Sequence, residues 1–187
     1  LPEPRAYAAA VSDGDALWIF GGTDGITVFD DALRLRWRNG ALEMSQPALR
    51  LPRPCAYAGA ALLEGVAYIL GGQSSVDASQ ALDVFWSLNL RDPQVRWKTL
   101  PSWDGPGRIL PVVTAQDGAI YLFSGCALLG QDSGGVAREY LQDGFCYAPG
   151  KGWRAVAGPP RPTAAAPAAP IGHAHIAVIG GDNGSLV

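Results

Sequence analysis

Charge, cysteine and long apolar runs are all scarce in this sequence. Charged residues make up 17% of the 187 residues, and the net charge is −3 with a pI near 5.3. No block of basic residues occurs, which argues against nucleic acid as a partner. No apolar run approaches the roughly 18 residues that a transmembrane helix needs. The sequence therefore predicts neither a nucleic-acid partner nor a membrane partner.

The three cysteines, Cys55, Cys126 and Cys146, contain no C-x-x-C pair, so no zinc site is indicated. Their odd number argues against a disulfide scaffold. A bridge between Cys126 and Cys146 stays open if their strands are neighbours, and burial as small hydrophobic side chains is the alternative. The cysteines therefore predict no metal and do not define a compartment.

Glycine and proline, in contrast, are abundant. The chain has 24 glycines and 15 prolines, and 48% of its residues are hydrophobic. The apolar content is enough for a sizeable core and argues against disorder. The glycine and proline content suits many short strands joined by tight turns rather than long helices. The composition therefore favours a folded, strand-rich protein.

An internal repeat is visible in four apolar runs that each close with a glycine pair or near-pair. The second glycines of these pairs are Gly22, Gly72, Gly125 and Gly181. Their successive separations are 50, 53 and 56 residues. Similar separations of about this length indicate one supersecondary unit per repeat.

Each unit carries the same signals in the same order. A proline-rich segment precedes the first strand, and an acidic residue with glycine, as in Glu64-Gly65, follows it as a hairpin signal. A third strand follows the glycine pair, most clearly at 83–88 and 144–147. A tryptophan, Trp97 or Trp153, opens the fourth strand. These signals predict four short antiparallel strands, the number that a propeller blade requires.

The ordered set of P-x-R segment, double glycine, aromatic strand and tryptophan resembles the kelch-repeat family over nearly the whole chain. The resemblance implies an all-β, kelch-type β-propeller with about three and a half four-stranded blades. We expect one partial propeller domain over 1–187. Its repeats are predicted at about 1–50, 51–100, 101–158 and, incomplete, 159–187.

The first and last repeats depart from this pattern. Trp37 comes early, so the outer strands of the first repeat are expected at Ala32 to Trp37 and Leu42 to Leu51. In the last repeat we expect a first strand near His173 to Ile176 and a second strand that ends at Gly181. Because open sheet edges are a hazard, we expect this chain to be part of a longer protein, or an oligomer or second chain to complete the ring.

Three segments further resemble the bacterial N-acetylneuraminate epimerase (sialic acid mutarotase) group of kelch proteins. They are 100–108, 138–141 and the stretch from 159 through His173 to 184. The resemblance implies a six-bladed ring, a small sugar substrate, no cofactor, and a periplasmic or exported location. The catalytic glutamate and arginine of that group lie in a G-E-x-x-x-G-x-R segment. This sequence has no such segment, so those two residues cannot be carried over.

A mutarotase opens a sugar ring and closes it on the other face. A base takes the proton of the anomeric hydroxyl and an acid protonates the ring oxygen. For a sialic acid, arginine is the natural bidentate partner of the carboxylate. The candidate catalytic residues are Arg108, Arg138, Glu139 and His173, and the candidate substrate-binding residues are Trp103 and Tyr140.

Each candidate also has a structural interpretation. Arg108 follows a Pro-Gly turn and either points into the central channel or bonds to neighbouring backbone. Arg138 and Glu139 lie in the long loop after Gly125, where insertions often carry function, or form a solvated surface pair. Trp103 and Tyr140 either stack on a sugar or pack in the core.

A pair of histidines and a pair of aspartates are weaker candidates for a metal site and for catalysis, respectively. His173 and His175 would share a face of the presumed strand, but no third ligand lies nearby, so no metal site is predicted. Asp24 and Asp182, each just past a glycine pair, are more typical of turns than of catalysis.

Three functions compete at this point. The first is a mutarotase or epimerase, an isomerase acting on N-acetylneuraminate or a related sugar. The second is a non-catalytic kelch module that binds a protein or a glycan through its loops. The fold alone does not distinguish an enzyme from such a binding module. The last is a copper oxidase, for which Cys55, Tyr57 and the two histidines do not compose a convincing ligand set.

Overall fold

A computed structural model describes residues 3–92, 96–132 and 134–185. Within these ranges the chain forms strands and turns with no helix, so no helix there is long enough to cross a membrane. The strands are β1 (Ala9–Ser12), β2 (Leu17–Phe20), β3 (Ala32–Arg38), β4 (Ala41–Ser45), β5 (Gly59–Leu63), β6 (Val66–Leu70), β7 (Phe85–Asn89), β8 (Lys98–Thr99), β9 (Val112–Gln116), β10 (Ala119–Phe123), β11 (Cys126–Gly130), β12 (Val136–Tyr140), β13 (Gly144–Ala148), β14 (Gly152–Ala155), β15 (Ala168–Ile171) and β16 (His175–Val178).

The strands form three four-stranded antiparallel sheets. Blade 1 has the order β1-β2-β3-β4, blade 2 has β5-β6-β7-β8, and blade 3 has β9-β10-β13-β14. The hairpin β11–β12 is inserted between the second and third strands of blade 3, and the pair β15–β16 begins blade 4. The predicted four strands per repeat are therefore confirmed in three blades.

Tight turns join the first two strands of blades 1, 2 and 3, as their sequences predict. Leu63 pairs with Val66 across Glu64 and Gly65, and both turn residues have a positive φ, of 52° and 85°. Asp117 and Gly118 repeat this geometry in blade 3, with φ of 46° and 72°. Two successive positive φ values define the type I′ turn, whose twist matches that of the flanking strands.

The first strands of the blades, β1, β5, β9 and β15, lie side by side in that order around a central space. Small residues are needed there because the backbones approach closely. A Cβ atom on Gly59 of β5 would collide with the Val113 side chain on β9. We call the end where these strands begin, next to the glycine pairs, the glycine end, and the end with the hairpin turns the turn end. Strands of four to five residues separate the two ends by about 15 Å.

Backbone hydrogen bonds connect successive blades at the glycine end. The second glycine of each pair donates its N–H to a carbonyl of the next blade: Gly22 to Cys55 at 2.8 Å, Gly72 to Arg108 at 2.8 Å, and Gly125 to Thr163 at 3.0 Å. All three glycines have positive φ, which costs glycine little. The glycine pair therefore ends a strand and also links two blades.

The hydrophobic core lies between blades. Trp97 at the start of the fourth strand of blade 2 meets Phe20 of blade 1 edge-on at 5.2 Å. Trp153 of blade 3 meets Phe85 of blade 2 at 5.0 Å. These two tryptophans therefore fill the space between neighbouring blades. Trp37 of blade 1 is instead 70% exposed.

Several local predictions need correction. The first strand of blade 4 is β15, Ala168–Ile171, and not the predicted segment near His173 to Ile176. His173 lies in the turn between β15 and β16, so His173 and His175 do not share a strand face. In blade 1 the outer strands are confirmed in position, but the second of them ends at Ser45 rather than Leu51, because Pro47 follows and has no backbone N–H to donate to a sheet. Of the two alternatives left open for the cysteines, the structure shows burial as small hydrophobic side chains: all three are free and buried, and Cys126 and Cys146 are not bridged.

Candidate functional site

Arg108 lies in the interior of blade 3 and is 0% exposed. Its guanidinium donates to both carboxylate oxygens of Asp143, at 2.6 and 2.8 Å, and to the Ser124 carbonyl at 2.9 Å. It also lies over the rings of Trp103 and Phe145. The bidentate pair joins the segment before β9 to the start of β13, so Arg108 has no free face for a ligand.

Trp103 is packed beside Arg108 and is 3% exposed. Its indole N–H donates to the Pro106 carbonyl at 3.2 Å, and its ring meets Trp153 edge-on. A sugar could reach this ring only if the blade opened. The structure thus places Arg108 and Trp103 together, but in the core rather than on a binding surface.

Blade 1 contains the same arrangement. Arg5 donates to the Gly21 carbonyl at 2.8 Å and to both carboxylate oxygens of Asp31, and lies over the ring of Phe29. Burial opposes ionisation of Asp31, but the hydrogen bonds and charge of Arg5 outweigh it and hold the pKa of Asp31 below its usual value. The P-x-R motif therefore has a shared structural role in blades 1 and 3.

Blade 2 replaces this ion pair with uncharged residues. Cys55 occupies the arginine position and Val84 the aspartate position, as the equivalent backbone hydrogen bonds from Gly21, Gly71 and Ser124 show. Burial raises the pKa of Cys55 to about 12, so the thiol stays neutral. Arginine and aspartate are therefore present together or absent together in these three blades.

Arg138 and Tyr140 lie on one face of β12, which pairs with β11 so that Tyr140 is opposite Cys126. The Tyr140 hydroxyl donates to Oδ2 of Asp182, which belongs to blade 4. Oδ1 of Asp182 accepts the Gly184 N–H at 2.9 Å. The inserted hairpin thus brings a guanidinium and a phenol to a carboxylate at the glycine end.

Electrostatics in this cluster favour an ionised Asp182 and a neutral Tyr140. The hydrogen bond from Tyr140, followed by that from Gly184, lowers the pKa of Asp182, and the charge of Arg138 acts in the same direction. The hydrogen bond to Asp182 raises the pKa of Tyr140. At neutral pH the cluster therefore contains one cation, one anion and one phenol that keeps its proton.

Gly184 holds the Tyr140 ring in place. A Cβ atom at Gly184 would lie 2.6 to 2.7 Å from two ring carbons of Tyr140, and Gly184 has a φ of +77°. The ring therefore packs directly on the backbone that also bonds Asp182. The sequence predicts only a turn role for Asp182. Its position just after the glycine pair places it at the glycine end, but its partner Tyr140 lies 42 residues away, so the sequence does not indicate their contact.

Glu139 points to the opposite face of the hairpin from Arg138 and Tyr140, since strand residues alternate. It lines a groove of about 380 Å³ that also includes Ala81, Asp83 and Leu129. The structure therefore separates Glu139 from the Arg138–Tyr140–Asp182 cluster, although the three residues 138, 139 and 140 are consecutive.

His173 lies at the turn end, remote from that cluster. Its side chain is 93% exposed, and Nδ1 is 2.9 Å from Oδ1 of Asp117 in the adjacent turn of blade 3. Buried Gln116 donates to the carbonyls of Gly172 and His175, both at 2.9 Å. These contacts attach the blade 4 hairpin to blade 3, so His173 stands at a blade junction.

Protonation of His173 is expected to strengthen this junction. The hydrogen bond and charge of Asp117 raise the pKa of His173. Because the pKa of His173 is higher in the folded than in the unfolded state, its protonation stabilises the folded state. This stabilisation is complete at a pH below the unfolded-state pKa and is lost as the pH rises through the folded-state pKa. Backbone amides of β15 and β16 should therefore show greater hydrogen-exchange protection at about pH 5.5 than at about pH 8, after correction for intrinsic rates.

The His173→Gln variant should lose this pH dependence, whereas His175→Gln should keep it. An unchanged pH dependence in His173→Gln would contradict the role of the pair. Because both side chains are exposed, the expected effect is modest.

No group of three or more His, Cys, Asp or Glu side chains suited to a metal occurs among residues 3–92, 96–132 and 134–185. Arg138, Tyr140 and Asp182 offer a guanidinium, a phenol and a carboxylate, which are groups that pair with an anion and transfer protons.

Three antiparallel four-stranded blades, with first strands side by side and glycine pairs linking neighbours, define a β-propeller, and the described residues form about three and a half of its blades. The fold is similar to the solved structure of YjhT, with a TM-score of 0.65 at 12% identity over 97% of this chain and 78% of that one. This likeness confirms the predicted fold class.

Two curated proteins are similar in sequence. Both are N-acetylneuraminate epimerases of Haemophilus influenzae, from strains PittEE and 86-028NP, each 34% identical over 61 residues. The matched stretch is 33% of this chain and spans only 16% of the length of each relative. No protein-family model matches the chain. The predicted similarity to the N-acetylneuraminate epimerase group is confirmed by the two curated relatives, over the matched 61 residues.

Proposed function

We propose that this chain belongs to a sugar mutarotase that interconverts the anomers of N-acetylneuraminate or a related carboxylated sugar. The observation that carries the proposal is the Arg138–Tyr140–Asp182 cluster at the glycine end. The partial similarity to N-acetylneuraminate epimerases supports the same substrate class. A periplasmic or exported location remains part of this proposal.

In the proposed reaction Asp182 takes the proton of the anomeric hydroxyl and Tyr140 donates its proton to the ring oxygen. The bond from the anomeric carbon to the ring oxygen breaks, and the anomeric oxygen becomes a carbonyl. Rotation about the adjacent carbon–carbon bond presents the other carbonyl face, and the reverse steps close the ring and return both protons. No oxidant, reductant or cofactor is consumed.

The residues of the cluster suit these roles. Asp182 is ionised and Tyr140 is protonated, for the reasons given above. Their mutual hydrogen bond is exchanged for one bond from the anomeric hydroxyl and one to the ring oxygen. Arg138 is exposed and pairs with the substrate carboxylate. A carboxylate of low pKa is a weak base, so we expect acceleration of about a hundredfold, the lower end for general acid–base catalysis.

Proton NMR of freshly released α-N-acetylneuraminate tests the proposal, because the approach to the β anomer is followed directly with and without protein. We expect faster equilibration with the wild type and a rate near that of buffer with Asp182→Asn or Tyr140→Phe. Arg138→Ala should raise KM more than it lowers kcat. Arg154→Ala, an exposed arginine on β14, is the matched control and should behave as wild type.

A folded wild-type protein, identified by a dispersed amide spectrum, that leaves the rate equal to buffer contradicts the mutarotase proposal. Saturable binding of the sugar without acceleration would then favour the non-catalytic module that binds a glycan.

A further inference from the structure

The sequence contains two Asn-Gly pairs, Asn39-Gly40 and Asn183-Gly184, and the structure surrounds them differently. Asparagine followed by glycine is especially prone to deamidation, because glycine has no side chain to shield its backbone nitrogen from the asparagine amide carbon. The reaction still requires that this nitrogen and the asparagine side chain are free to approach each other. The surroundings of each pair therefore decide whether it reacts.

Asn39-Gly40 forms the two-residue turn between β3 and β4. The flanking residues Arg38 and Ala41 are paired, and the two turn residues are exposed, with φ of 51° and 77°. Among the residues that the structure describes, the Gly40 N–H and the Asn39 side chain have no hydrogen-bond partner. Nothing lies within 4 Å of a Cβ added to Gly40. Both reacting groups are therefore free.

This turn also projects beyond the four-stranded layer of blade 1. β2 begins at Leu17, which pairs with Leu35, whereas β3 continues to Arg38 with only β4 beside it. Blades pack on one another through the faces of their sheets, as Phe20 does against Trp97. The projecting turn lies outside that packed surface, so its exposure does not depend on what stands beside blade 1.

Asn183-Gly184 is held by the surroundings of Asp182. The Gly184 N–H donates to Oδ1 of Asp182 at 2.9 Å, and Oδ1 of Asn183 accepts the Ser185 N–H at 3.0 Å. The Tyr140 ring packs on Gly184, since an added Cβ would lie 2.6 Å from one of its carbons. The nitrogen that would attack is thus bonded to a carboxylate, and the side chain that would be attacked is anchored to the backbone.

We propose that Asn39 is a site of spontaneous deamidation and that Asp182 protects Asn183 from the same reaction. In the first step the Gly40 nitrogen bonds to the side-chain carbonyl carbon of Asn39 and gives up its proton. The bond from that carbon to the side-chain nitrogen breaks, ammonia leaves, and a cyclic succinimide remains. Water then opens the ring at either of its carbonyl carbons, which gives aspartate or isoaspartate at position 39. No oxidant or reductant is consumed.

Either product changes the outer edge of blade 1. The new carboxylate is adjacent in sequence to Arg38, whose guanidinium lies 3.8 Å from Oδ1 of Asp15. Isoaspartate also adds a methylene carbon to the main chain, which does not fit the two-residue turn while Arg38 and Ala41 stay paired. The pair Trp37–Leu42 should therefore lose hydrogen-exchange protection in the isoaspartate product.

Peptide mapping by mass spectrometry, after incubation of the folded protein in mildly alkaline buffer, measures the rate at each asparagine. We expect position 39 to react about tenfold faster than position 183 or more, because reaction at 183 first requires the charged hydrogen bond from Gly184 to open. In concentrated urea the two rates should converge, since the dipeptide is the same. Equal rates in the folded protein, or a faster rate at 183, overturn the proposal.

Two substitutions of Asp182 test the protection. Asp182→Ala removes the acceptor and should raise the rate at position 183 about tenfold, whereas Asp182→Asn keeps an acceptor oxygen and should raise it less. The rate at position 39 should stay at the wild-type value in both variants. An unchanged rate at 183 in Asp182→Ala overturns the role of Asp182. If a variant loses its fold, the rates at 39 and 183 converge as in urea, and the wild-type ratio between folded and urea-treated protein then decides. None of these readouts involves a sugar, so they are independent of the proposed function.

Discussion

Replacing Asp143 with valine is expected to destabilise the protein by about 3 to 5 kcal/mol, because it leaves the Arg108 guanidinium buried without its counter-charge. Arg108 is 0% exposed, and Asp143 supplies two of its hydrogen bonds. The Ser124 and Pro106 carbonyls that remain are neutral acceptors and cannot replace a carboxylate. Urea unfolding followed by tryptophan fluorescence measures this loss.

Blade 2 suggests how the loss can be repaired. There Cys55 and Val84 fill the positions of Arg108 and Asp143 without any charge. The double variant Arg108→Cys with Asp143→Val should therefore be more stable than the single variant Asp143→Val, because the second substitution removes the buried charge that the first leaves unpaired. The coupling energy in this double-mutant cycle should exceed about 2 kcal/mol.

The control for this cycle is Asp77→Val, which removes an exposed carboxylate and should change the free energy of unfolding by less than about 0.5 kcal/mol. Additive effects of the two substitutions at positions 108 and 143 would show that the ion pair does not act as a unit. The cycle also decides whether Arg108 is structural, because a ligand-binding arginine would not need Asp143 for folding.

Gly71→Ala is expected to cost about 3 kcal/mol or more, because two penalties coincide. Gly71 has a φ of +70°, which costs alanine about 1 to 2 kcal/mol. In addition, its Cβ would lie well inside 3.0 Å of the Arg108 carbonyl oxygen. That oxygen accepts the inter-blade hydrogen bond from Gly72, so it cannot retreat without weakening the link between blades 2 and 3.

Gly118→Ala separates the two penalties. Gly118 has nearly the same φ, +72°, but nothing lies within 4 Å of an added Cβ. Its loss of stability should therefore be that of backbone strain alone, about 1 to 2 kcal/mol in denaturant unfolding. Equal losses in the two variants would mean that the blades move apart freely and that the close approach at Gly71 carries no energy.

Blade 3 shows what a side chain at this position requires. Ser124 takes the place of the first glycine with a φ of 53°. Its hydroxyl bonds to the Leu141 carbonyl and accepts the Thr163 N–H at 2.7 Å. The junction between blades 3 and 4 therefore accommodates a side chain by giving it hydrogen-bond partners, which an alanine at Gly71 would lack.

Much of the fold was predictable because its signals are local. The turn at Glu64 and Gly65, the glycine pair at Gly71 and Gly72, and the tryptophan at Trp97 each act within a few residues. Their repetition at similar intervals along the chain then indicates that each repeat forms one blade. The error at His173 has a local cause as well, since Gly172 and His173 make a turn without the acidic residue that marks the other turns.

The candidate site was predictable only in part. Arg138 and Tyr140 were recognised as an arginine and an aromatic residue in an insertion, and the structure places them together beside Asp182. Arg108 has the same chemistry in the sequence as Arg138, yet one is buried and the other exposed. The P-x-R motif around Arg108 indicates a structural role, but the carboxylate that neutralises this buried arginine, Asp143, lies 35 residues away in the sequence.

The sequence by itself determined the strand type, the repeat and the identity of the residues that close each blade, because turn chemistry and alternation act over short distances. Only the tertiary structure decided which charged residues meet. Arg108 finds Asp143 across 35 residues, and Tyr140 finds Asp182 across 42. The stacking of Tyr7 on Tyr57 likewise joins two blades. Such contacts depend on how sheets are placed around the channel, and no local pattern encodes that placement.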